Sequence, residues 1–190
     1  MSFELEVKFQ IRGFTLKEVK KLFVAAHPHI EWRKTETKTE YYFNTLPMYT
    51  RLRPLNSGKG LVTRKGHPSA DNEMLRAEEE WTVKNFEASK RLYISSTKLD
   101  ALPVTKSYML TRLPTLQIDK DFHITLGAYQ IGSDVYVEFE WRPDGREPTQ
   151  AITDQLVAWG NKFITDALIT DYEPCTESVF KRYILPQIQP

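Results

Sequence analysis

The 190-residue chain has little of what marks several common protein classes. Its one cysteine, Cys175, excludes an internal disulfide and any cysteine-rich metal site. No apolar run approaches the roughly 18 residues of a membrane span, and residues 1–2 lead into strand-like sequence rather than an apolar signal core. Lys and Arg number 26 against 25 Asp and Glu, so neither sign of charge is in excess. These absences argue against a membrane or duplex nucleic acid as partner and favour a cytoplasmic protein.

The composition is that of an ordinary folded chain. Hydrophobic residues make up 41% and charged residues 27%, which are typical globular values. A length of 190 residues suits one domain with its own core, and no repeat, linker or low-complexity segment divides the sequence. We therefore predict a single domain over residues 1–190. The oligomeric state stays open, with a homodimer as one option.

Alternation of apolar and charged residues over residues 3–9 predicts a first strand with one apolar and one charged face. Thr15 and Glu18 have the spacing of a capping box and predict the start of a helix, which Pro28 ends. Further strands are predicted over residues 30–44, 49–53, 61–65, 75–83, 110–117, 122–126 and 135–141, and further helices over 86–101, 152–163 and 177–185. Many hairpin-linked strands with few helices favour an α+β fold, an antiparallel barrel or sandwich with helices outside.

Charged residues share one face in the predicted strands over residues 3–9, 49–53, 61–65, 75–83 and 135–141, and a Glu-x-Glu pair occurs near each end of the chain. The wet outer face of a sandwich would account for any single strand. If the two Glu pairs lie on neighbouring strands, their carboxylates are about 5 Å apart and repel by about 3 kcal/mol at an effective dielectric of 20. A divalent cation would reverse that repulsion, and carboxylate oxygens suit Mg²⁺ or Mn²⁺. The Arg and Lys residues among them suit a polyphosphate.

The order of these motifs resembles the CYTH, or triphosphate tunnel metalloenzyme, superfamily over about residues 3–141. The opening Glu4-Leu5-Glu6-Val7-Lys8 is similar to the ExExK signature of that family. The matching segments that follow are Tyr42-Phe43, Arg51-Leu52-Arg53, Thr63-Arg64-Lys65-Gly66, Arg76-Ala77-Glu78-Glu79-Glu80, a basic residue near Arg112, and Val137-Glu138-Phe139-Glu140. The resemblance implies a closed tunnel of eight antiparallel strands with charged side chains inside and helices outside.

The resemblance also implies an activity on a small-molecule triphosphate or polyphosphate with Mg²⁺ or Mn²⁺ as cofactor. Four residues would hold metal: Glu4, Glu6, Glu138 and Glu140. Six would bind phosphate oxygens: Lys8, Arg51, Arg53, Lys65, Arg76 and Arg112. Lys8, Glu78 and Glu80 are the expected catalytic residues, the two acids either binding metal or orienting Arg and Lys.

The sequence departs from the family pattern in two places. Gly127 stands where many members carry an Asp on the strand before the last Glu-x-Glu, and Asp134 is the nearest acid that follows. In the C-terminal segment the family's basic residue has no clear match, since Glu177-Ser178-Val179 stands there with Lys181 and Arg182 beyond. Both departures concern catalysis more than binding.

Three functions are compatible with these residues. Hydrolysis of a triphosphate needs positioning and charge stabilisation more than covalent help, which suits a chain with four scattered His. A class IV adenylyl cyclase would use the same tunnel to make cyclic AMP, with Tyr41, Tyr42 and Phe43 as candidates to stack the base. A module that binds polyphosphate without turnover is the third, and an RNA 5′-triphosphate is a variant substrate for the first. His27 and His29 are expected in a turn.

Overall fold

The computed structural model describes residues 2–45, 48–68, 74–111, 116–119, 122–142 and 149–188. Within these ranges the β-strands are β1 (Ser2–Ile11), β2 (Glu36–Phe43), β3 (Tyr49–Pro54), β4 (Gly60–Pro68), β5 (Leu75–Val83), β6 (Leu102–Leu110), β7 (Leu116–Asp119), β8 (Phe122–Ile131), β9 (Asp134–Trp141) and β10 (Tyr172–Pro174). The α-helices are α1 (Leu16–Ala26), α2 (Phe86–Thr97), α3 (Gln150–Asp166) and α4 (Leu185–Ile188), the last of which follows a π-helical turn, Phe180–Ile184.

Eight of the described strands close into a barrel. Around it they follow the order β1-β5-β4-β3-β2-β6-β8-β9, and β9 pairs back onto β1. Every pair is antiparallel, so each strand of the ring has a hydrogen-bonded neighbour on both sides. The predicted α+β fold with a closed eight-stranded barrel is therefore confirmed, and the open sandwich is not found.

The apolar face of the first strand lies outside the barrel, where α1 and α3 cover it. Leu5, Val7 and Phe9 are buried in one core with Phe23 of α1 and Phe163 of α3. The predicted capping box is present, since the Thr15 side chain accepts from the backbone N–H of Glu18 and the Glu18 carboxylate accepts from that of Thr15. Because side chains alternate between the two faces of a strand, the charged residues of β1 lie on the inner side of the barrel.

Two other elements pack on the barrel, α2 on its outside and the C-terminal segment on side chains that face inward. Phe86 of α2 packs on Phe43 and Leu52, on the outside of β2 and β3. The C-terminal segment packs on inward-facing tyrosines, and the Phe180 ring stacks on Tyr49 with centroids 4.7 Å apart. None of the helices in the described ranges is long and apolar enough to cross a membrane.

The structure differs from the prediction mainly at β6. A strand was expected over residues 110–117, but β6 ends at Leu110 and the next described strand, β7, begins at Leu116. β7 pairs with β8, so the expected hairpin is present with a shorter first strand, and β6 pairs with β8 as a further strand that was not predicted. β6 has polar residues on both faces, including exposed Thr105 and buried Lys106, and therefore lacks the hydrophobic period-two signal. The C-terminal helix also runs to Ile188, past Pro186.

Candidate functional site

The barrel encloses a cavity of about 360 Å³ that is lined by the charged strand faces. All the predicted site residues that the structure describes border it: Glu4, Glu6, Lys8, Arg51, Arg53, Lys65, Arg76, Glu78, Glu80, Glu138 and Glu140. Arg112 lies outside the described residues. The charged faces therefore converge on one interior space, and the reading of these faces as a wet outer surface is wrong.

The cavity lining is balanced in charge. Among the described residues it contains seven acidic and seven basic side chains. Three of these were not predicted from the sequence: Glu40, Lys106 and Arg142. A balanced interior tolerates burial, because each charge keeps an opposite partner in a medium of low dielectric constant.

Six acidic residues of β1, β5 and β9 border the cavity, and together we call them the carboxylate wall: Glu4, Glu6, Glu78, Glu80, Glu138 and Glu140. β1 and β9 are direct neighbours, and in their register Glu6 lies opposite Glu140 and Lys8 opposite Glu138. The two Glu-x-Glu pairs, from opposite ends of the chain, are thus brought onto neighbouring strands. Like charges that face each other across a strand pair destabilise it unless a cation lies between them.

Lys65 supplies much of that positive charge. Its Nζ lies 2.8 Å from Oε1 of Glu4, 3.4 Å from Oε1 of Glu78 and 3.6 Å from Oε2 of Glu6. Burial by itself lowers the pKa of Lys65, but Glu4 and Glu6 outweigh it and raise that pKa well above its ordinary value. Lys65 is therefore a fixed cation, and it accounts for part of the compensation that the sequence attributed to a metal alone.

Arg142, directly after β9, binds the same wall from the solvent side. Its Nη2 donates to Oε2 of Glu78 at 3.2 Å, and its Nη1 donates to Oε2 of Glu80 at 3.2 Å. Its Nε donates to Oε1 of Glu140, and Oε2 of Glu4 lies 3.8 Å from Nη2. Burial alone lowers the pKa of the Arg142 guanidinium, but Glu140 and Glu78 raise it above its ordinary value.

The carboxyl groups of the wall differ in proton affinity. Burial raises the pKa of Glu4 well above its ordinary value. Burial and the charge of Glu6 also raise the pKa of Glu138. Burial acts in the same direction on Glu6, yet Lys65 and Lys8 outweigh it and hold the pKa of Glu6 well below the ordinary value. Glu4 is the acid nearest to Lys65, so the difference follows from the whole set of neighbouring charges: Glu6 has two lysines beside it, whereas Glu4 has one lysine and several carboxyl groups.

The wall fits a hard divalent cation in its chemistry. Its donors are all carboxylate oxygens, and Oε2 of Glu4 is buried without a hydrogen-bond donor in the described part of the chain. In the same ranges no three His, Cys, Asp or Glu side chains form a ready-made metal cluster. Lys65 and Arg142 lie among the carboxylates instead, so an ion would have to exchange places with one of these cations.

The opposite side of the barrel holds a second ion cluster around Glu40. This fully buried carboxylate accepts from Nε of Arg53 at 2.5 Å, from Nζ of Lys106 at 2.9 Å and from the Tyr42 hydroxyl at 2.9 Å. Burial alone raises the pKa of Glu40, but Lys106, Arg53 and Arg51 outweigh it and hold that pKa well below its ordinary value. Glu40 therefore fixes two cations that border the cavity.

Sequence reasoning missed Glu40 and Lys106 for different reasons. Glu40 and Tyr42 share a face of β2 by simple alternation, so the signal was present in the predicted strand over residues 30–44. Lys106 lies in β6, which was not predicted because neither of its faces is continuously apolar. Arg142 follows the last predicted strand, 135–141, so no strand alternation assigns a side to it.

Two of the predicted phosphate-binding arginines donate hydrogen bonds to neutral groups, and Nη2 of Arg51 also lies 3.9 Å from Oε1 of Glu80. Nη2 of Arg51 donates to the Thr63 hydroxyl at 3.1 Å, and that hydroxyl donates to Oε1 of Glu80 at 2.8 Å. Nε of Arg51 is buried and has no acceptor among the described residues. Nη2 of Arg76 donates to the carbonyl of Thr176 at 3.1 Å. Both guanidiniums thus keep donors for an anion in the cavity.

The two departures from the family pattern have clear structural outcomes. Gly127 borders the cavity opposite Glu138, and a Cβ at this position would meet Leu110 at 3.0 Å. Asp134 does not replace an acid there, because it accepts from Gln10 and from the Tyr183 hydroxyl at the end of the barrel. Among the described C-terminal residues, it is Ser178 and Val179 rather than Lys181 or Arg182 that border the cavity.

Two of the three aromatic residues that were candidates to stack a base do not border the cavity, so the prediction is wrong for them. Tyr41 packs on Phe86 and Phe43 on Tyr93, both on the outer side, and only Tyr42 borders the cavity. The turn expected at His27 is confirmed, since this residue caps α1 and its Nε2 lies 3.0 Å from the carbonyl of Phe163.

Solved structures share this fold. A conserved hypothetical protein of Pyrococcus furiosus aligns with a TM-score of 0.64 and 15% identity over 92% of this chain and 97% of its own. HpAC1 of Hippeastrum, a candidate adenylyl cyclase with a dominant triphosphatase activity, aligns with a TM-score of 0.58 and 15% identity over 95% and 93%. A candidate adenylate cyclase of Bacillus halodurans aligns with a TM-score of 0.54 and 12% identity over 97% and 100%.

These likenesses concern the fold, and with them the tunnel fold implied by the CYTH resemblance is confirmed. No protein-family model matches the chain, and no curated protein matches its sequence.

Proposed function

We propose that the chain is a divalent-metal-dependent hydrolase of a triphosphate compound, with nucleoside triphosphate, tripolyphosphate and thiamine triphosphate as the candidate substrates. The observation that carries this proposal is the enclosed, charge-balanced cavity, in which a carboxylate wall faces cations held on β3, β4 and β6. A divalent cation would offset part of the negative charge of a polyphosphate, and the basic side chains of the lining can offset the rest. The triphosphatase activity of HpAC1, which has the same fold, supports the same class of chemistry.

Metal would be held by Glu4, Glu6, Glu138 and Glu140. Their chemistry favours Mg²⁺ or Mn²⁺, because every donor is an oxygen. When bound, such an ion supplies positive charge to the phosphate oxygens of the substrate. Glu78 and Glu80 orient cations in this proposal, since Glu78 contacts Lys65 and Glu80 accepts from Thr63 beside Arg51.

The basic residues would bind the polyphosphate. Lys8 and Lys65 lie within the carboxylate wall, where they can contact both the acids and an incoming phosphate. Apart from Arg142, the remaining cations of the lining are Arg51, Arg53, Arg76 and Lys106. In hydrolysis the oxygen of water bonds to the terminal phosphorus, the bond to the bridging oxygen breaks, and a proton passes to solvent. The fixed cations stabilise the charge that moves onto the leaving diphosphate.

Adenylyl cyclase activity is the second candidate. Tyr108, Leu61 and Leu110 give part of the cavity lining an aromatic and aliphatic surface that could contact the base and ribose of ATP. The cyclase candidate from Bacillus halodurans shares the fold. In that reaction the 3′-hydroxyl of ATP attacks the α-phosphate and releases pyrophosphate.

One panel separates these candidates. Tripolyphosphate, ATP and thiamine triphosphate are each incubated with the protein and Mg²⁺ or Mn²⁺, and phosphate, pyrophosphate and cyclic AMP are all measured. Metal-dependent phosphate release supports the hydrolase, and cyclic AMP with equimolar pyrophosphate supports the cyclase. Tight binding of tripolyphosphate in calorimetry without any product contradicts both and leaves the non-catalytic module.

A further inference from the structure

We propose that Arg142 is an internal counter-cation that occupies the carboxylate wall when no divalent ion is bound and competes with such an ion for the same oxygens. This inference rests on the metal site of the proposed function. It concerns the affinity of that site for a divalent ion, and neither the sequence patterns nor the fold specifies this affinity.

Arg142 contacts several carboxylates of the wall at once. One guanidinium reaches carboxylates of three strands: Glu4 of β1, Glu78 and Glu80 of β5, and Glu140 of β9. Two of these, Glu4 and Glu140, are proposed metal ligands. The guanidinium can do this because it presents five N–H donors in a rigid fork. An ordinary surface ion pair would involve a single carboxylate.

Arg142 differs from Lys65 in how easily it can leave. The Lys65 side chain is 9% exposed, whereas that of Arg142 is 52% exposed. Removal of Lys65 from the acids would leave an ammonium group without water or partner, at a high desolvation cost. The Arg142 side chain is already half exposed, so its guanidinium can exchange carboxylates for water without the desolvation cost that Lys65 would meet.

The backbone position of Arg142 allows the same movement. The pairing of β9 with β1 and β8 ends at Trp141, opposite Leu5 and Ile124. Arg142 follows this last pair and has no ladder partner in the described register. Its side chain can therefore move away from the wall without breaking the barrel, which makes it the cation that a divalent ion would displace.

The test is a titration of Mn²⁺, without substrate, by calorimetry and by the electron paramagnetic resonance signal of free Mn²⁺. Arg142→Gln removes the competing charge and keeps a polar side chain. If Arg142 occupies the wall in about nine molecules of ten, its removal raises the apparent Mn²⁺ affinity by about tenfold. Arg142→Lys keeps one charge but loses the fork, and its Mn²⁺ affinity should fall between those of wild type and Arg142→Gln.

Arg12→Gln is the matched control. The Arg12 side chain is also 52% exposed and ion-paired, in this case to Glu173 on the outside of the barrel, so its loss should leave Mn²⁺ affinity unchanged. Glu138→Gln locates the binding event, because it should weaken Mn²⁺ binding in both backgrounds.

Two results overturn the proposal and are distinguishable. If Glu138→Gln weakens Mn²⁺ binding but Arg142→Gln leaves it unchanged or weaker, the metal site exists and Arg142 does not compete for it. If no Mn²⁺ binds, or if Glu138→Gln has no effect on binding, the metal site of the proposed function fails together with this inference.

Discussion

The Lys65 ammonium on β4 lies 2.8 Å from the Glu4 carboxylate on β1, and β5 separates these two strands in the sheet. The contact therefore crosses the concave inner surface of the barrel and depends on its curvature. It joins a proposed phosphate-binding residue to a proposed metal ligand, so the two halves of the candidate site are electrostatically linked before any ligand arrives.

Lys65→Met should destabilise the protein strongly. The substitution removes the cation that faces Glu4, Glu6 and Glu78, and breaking a buried ion pair from one side costs about 3–5 kcal/mol. Urea unfolding at neutral pH measures the loss. Lys162→Met is the control, since the exposed Lys162–Asp166 pair on α3 should contribute less than about 1 kcal/mol. Equal losses of unfolding free energy for the two substitutions would show that the buried ion pairs of Lys65 stabilise the protein no more than an exposed pair.

Glu40→Gln should destabilise the barrel at neutral pH, by about 3 kcal/mol, because Lys106 and Arg53 lose their buried counter-ion. The difference between wild type and variant should depend on pH. The folded-state pKa of Glu40 lies well below its ordinary value, so its stabilising effect is complete above the unfolded pKa of about 4.3 and is lost as pH falls through the folded pKa.

The measurement for Glu40 is the free energy of unfolding of both proteins from pH 7 to pH 3. The difference should be constant down to about pH 5 and shrink below about pH 4.3. Glu173→Gln serves as control, since the exposed pair of Glu173 with Arg12 predicts only a small effect. A difference that grows on acidification would contradict the assigned ionisation of Glu40.

Glu138→Gln should abolish metal-dependent turnover and leave the fold intact. It removes a proposed metal ligand, so the loss should exceed the roughly 10- to 100-fold typical of removing a group that only orients a ligand. Steady-state phosphate release with Mg²⁺ or Mn²⁺ measures it. Glu79→Gln is the matched control, because Glu79 faces outward between two cavity acids and pairs with Arg64. Turnover retained in Glu138→Gln would remove this residue from the ligand set.

Arg53→Ala should mainly raise KM. A charge-assisted hydrogen bond to phosphate contributes about 1.5–3 kcal/mol, which corresponds to about tenfold or more in KM if the contact is equal in ground and transition states. Arg64→Ala, on the outward face of β4, should change neither kcat nor KM. A fall in kcat with constant KM would instead place Arg53 at the reacting phosphate.

The predictable part of the fold follows from local alternation. β1 and β9 each carry apolar residues on one face and charge on the other, β5 follows the same alternation except at the outward Glu79, and the strands found agree with those patterns. β6 was not predicted because Thr105 and Ser107 interrupt its outward face and Lys106 interrupts its inward face. The predicted site residues were found in the cavity wherever the structure describes them, because a strand's alternation fixes the side of every second residue.

The sequence by itself determined which residues share a strand face and that these faces are rich in opposite charges, since both depend on spacings of two residues. Only the tertiary structure decided that the sheet closes and that Glu40, Lys106 and Arg142 join the cavity. It also decided that lysine and arginine side chains lie between the carboxylates. Those features depend on strand register and ring closure between segments far apart in the chain, and no local pattern encodes such distances.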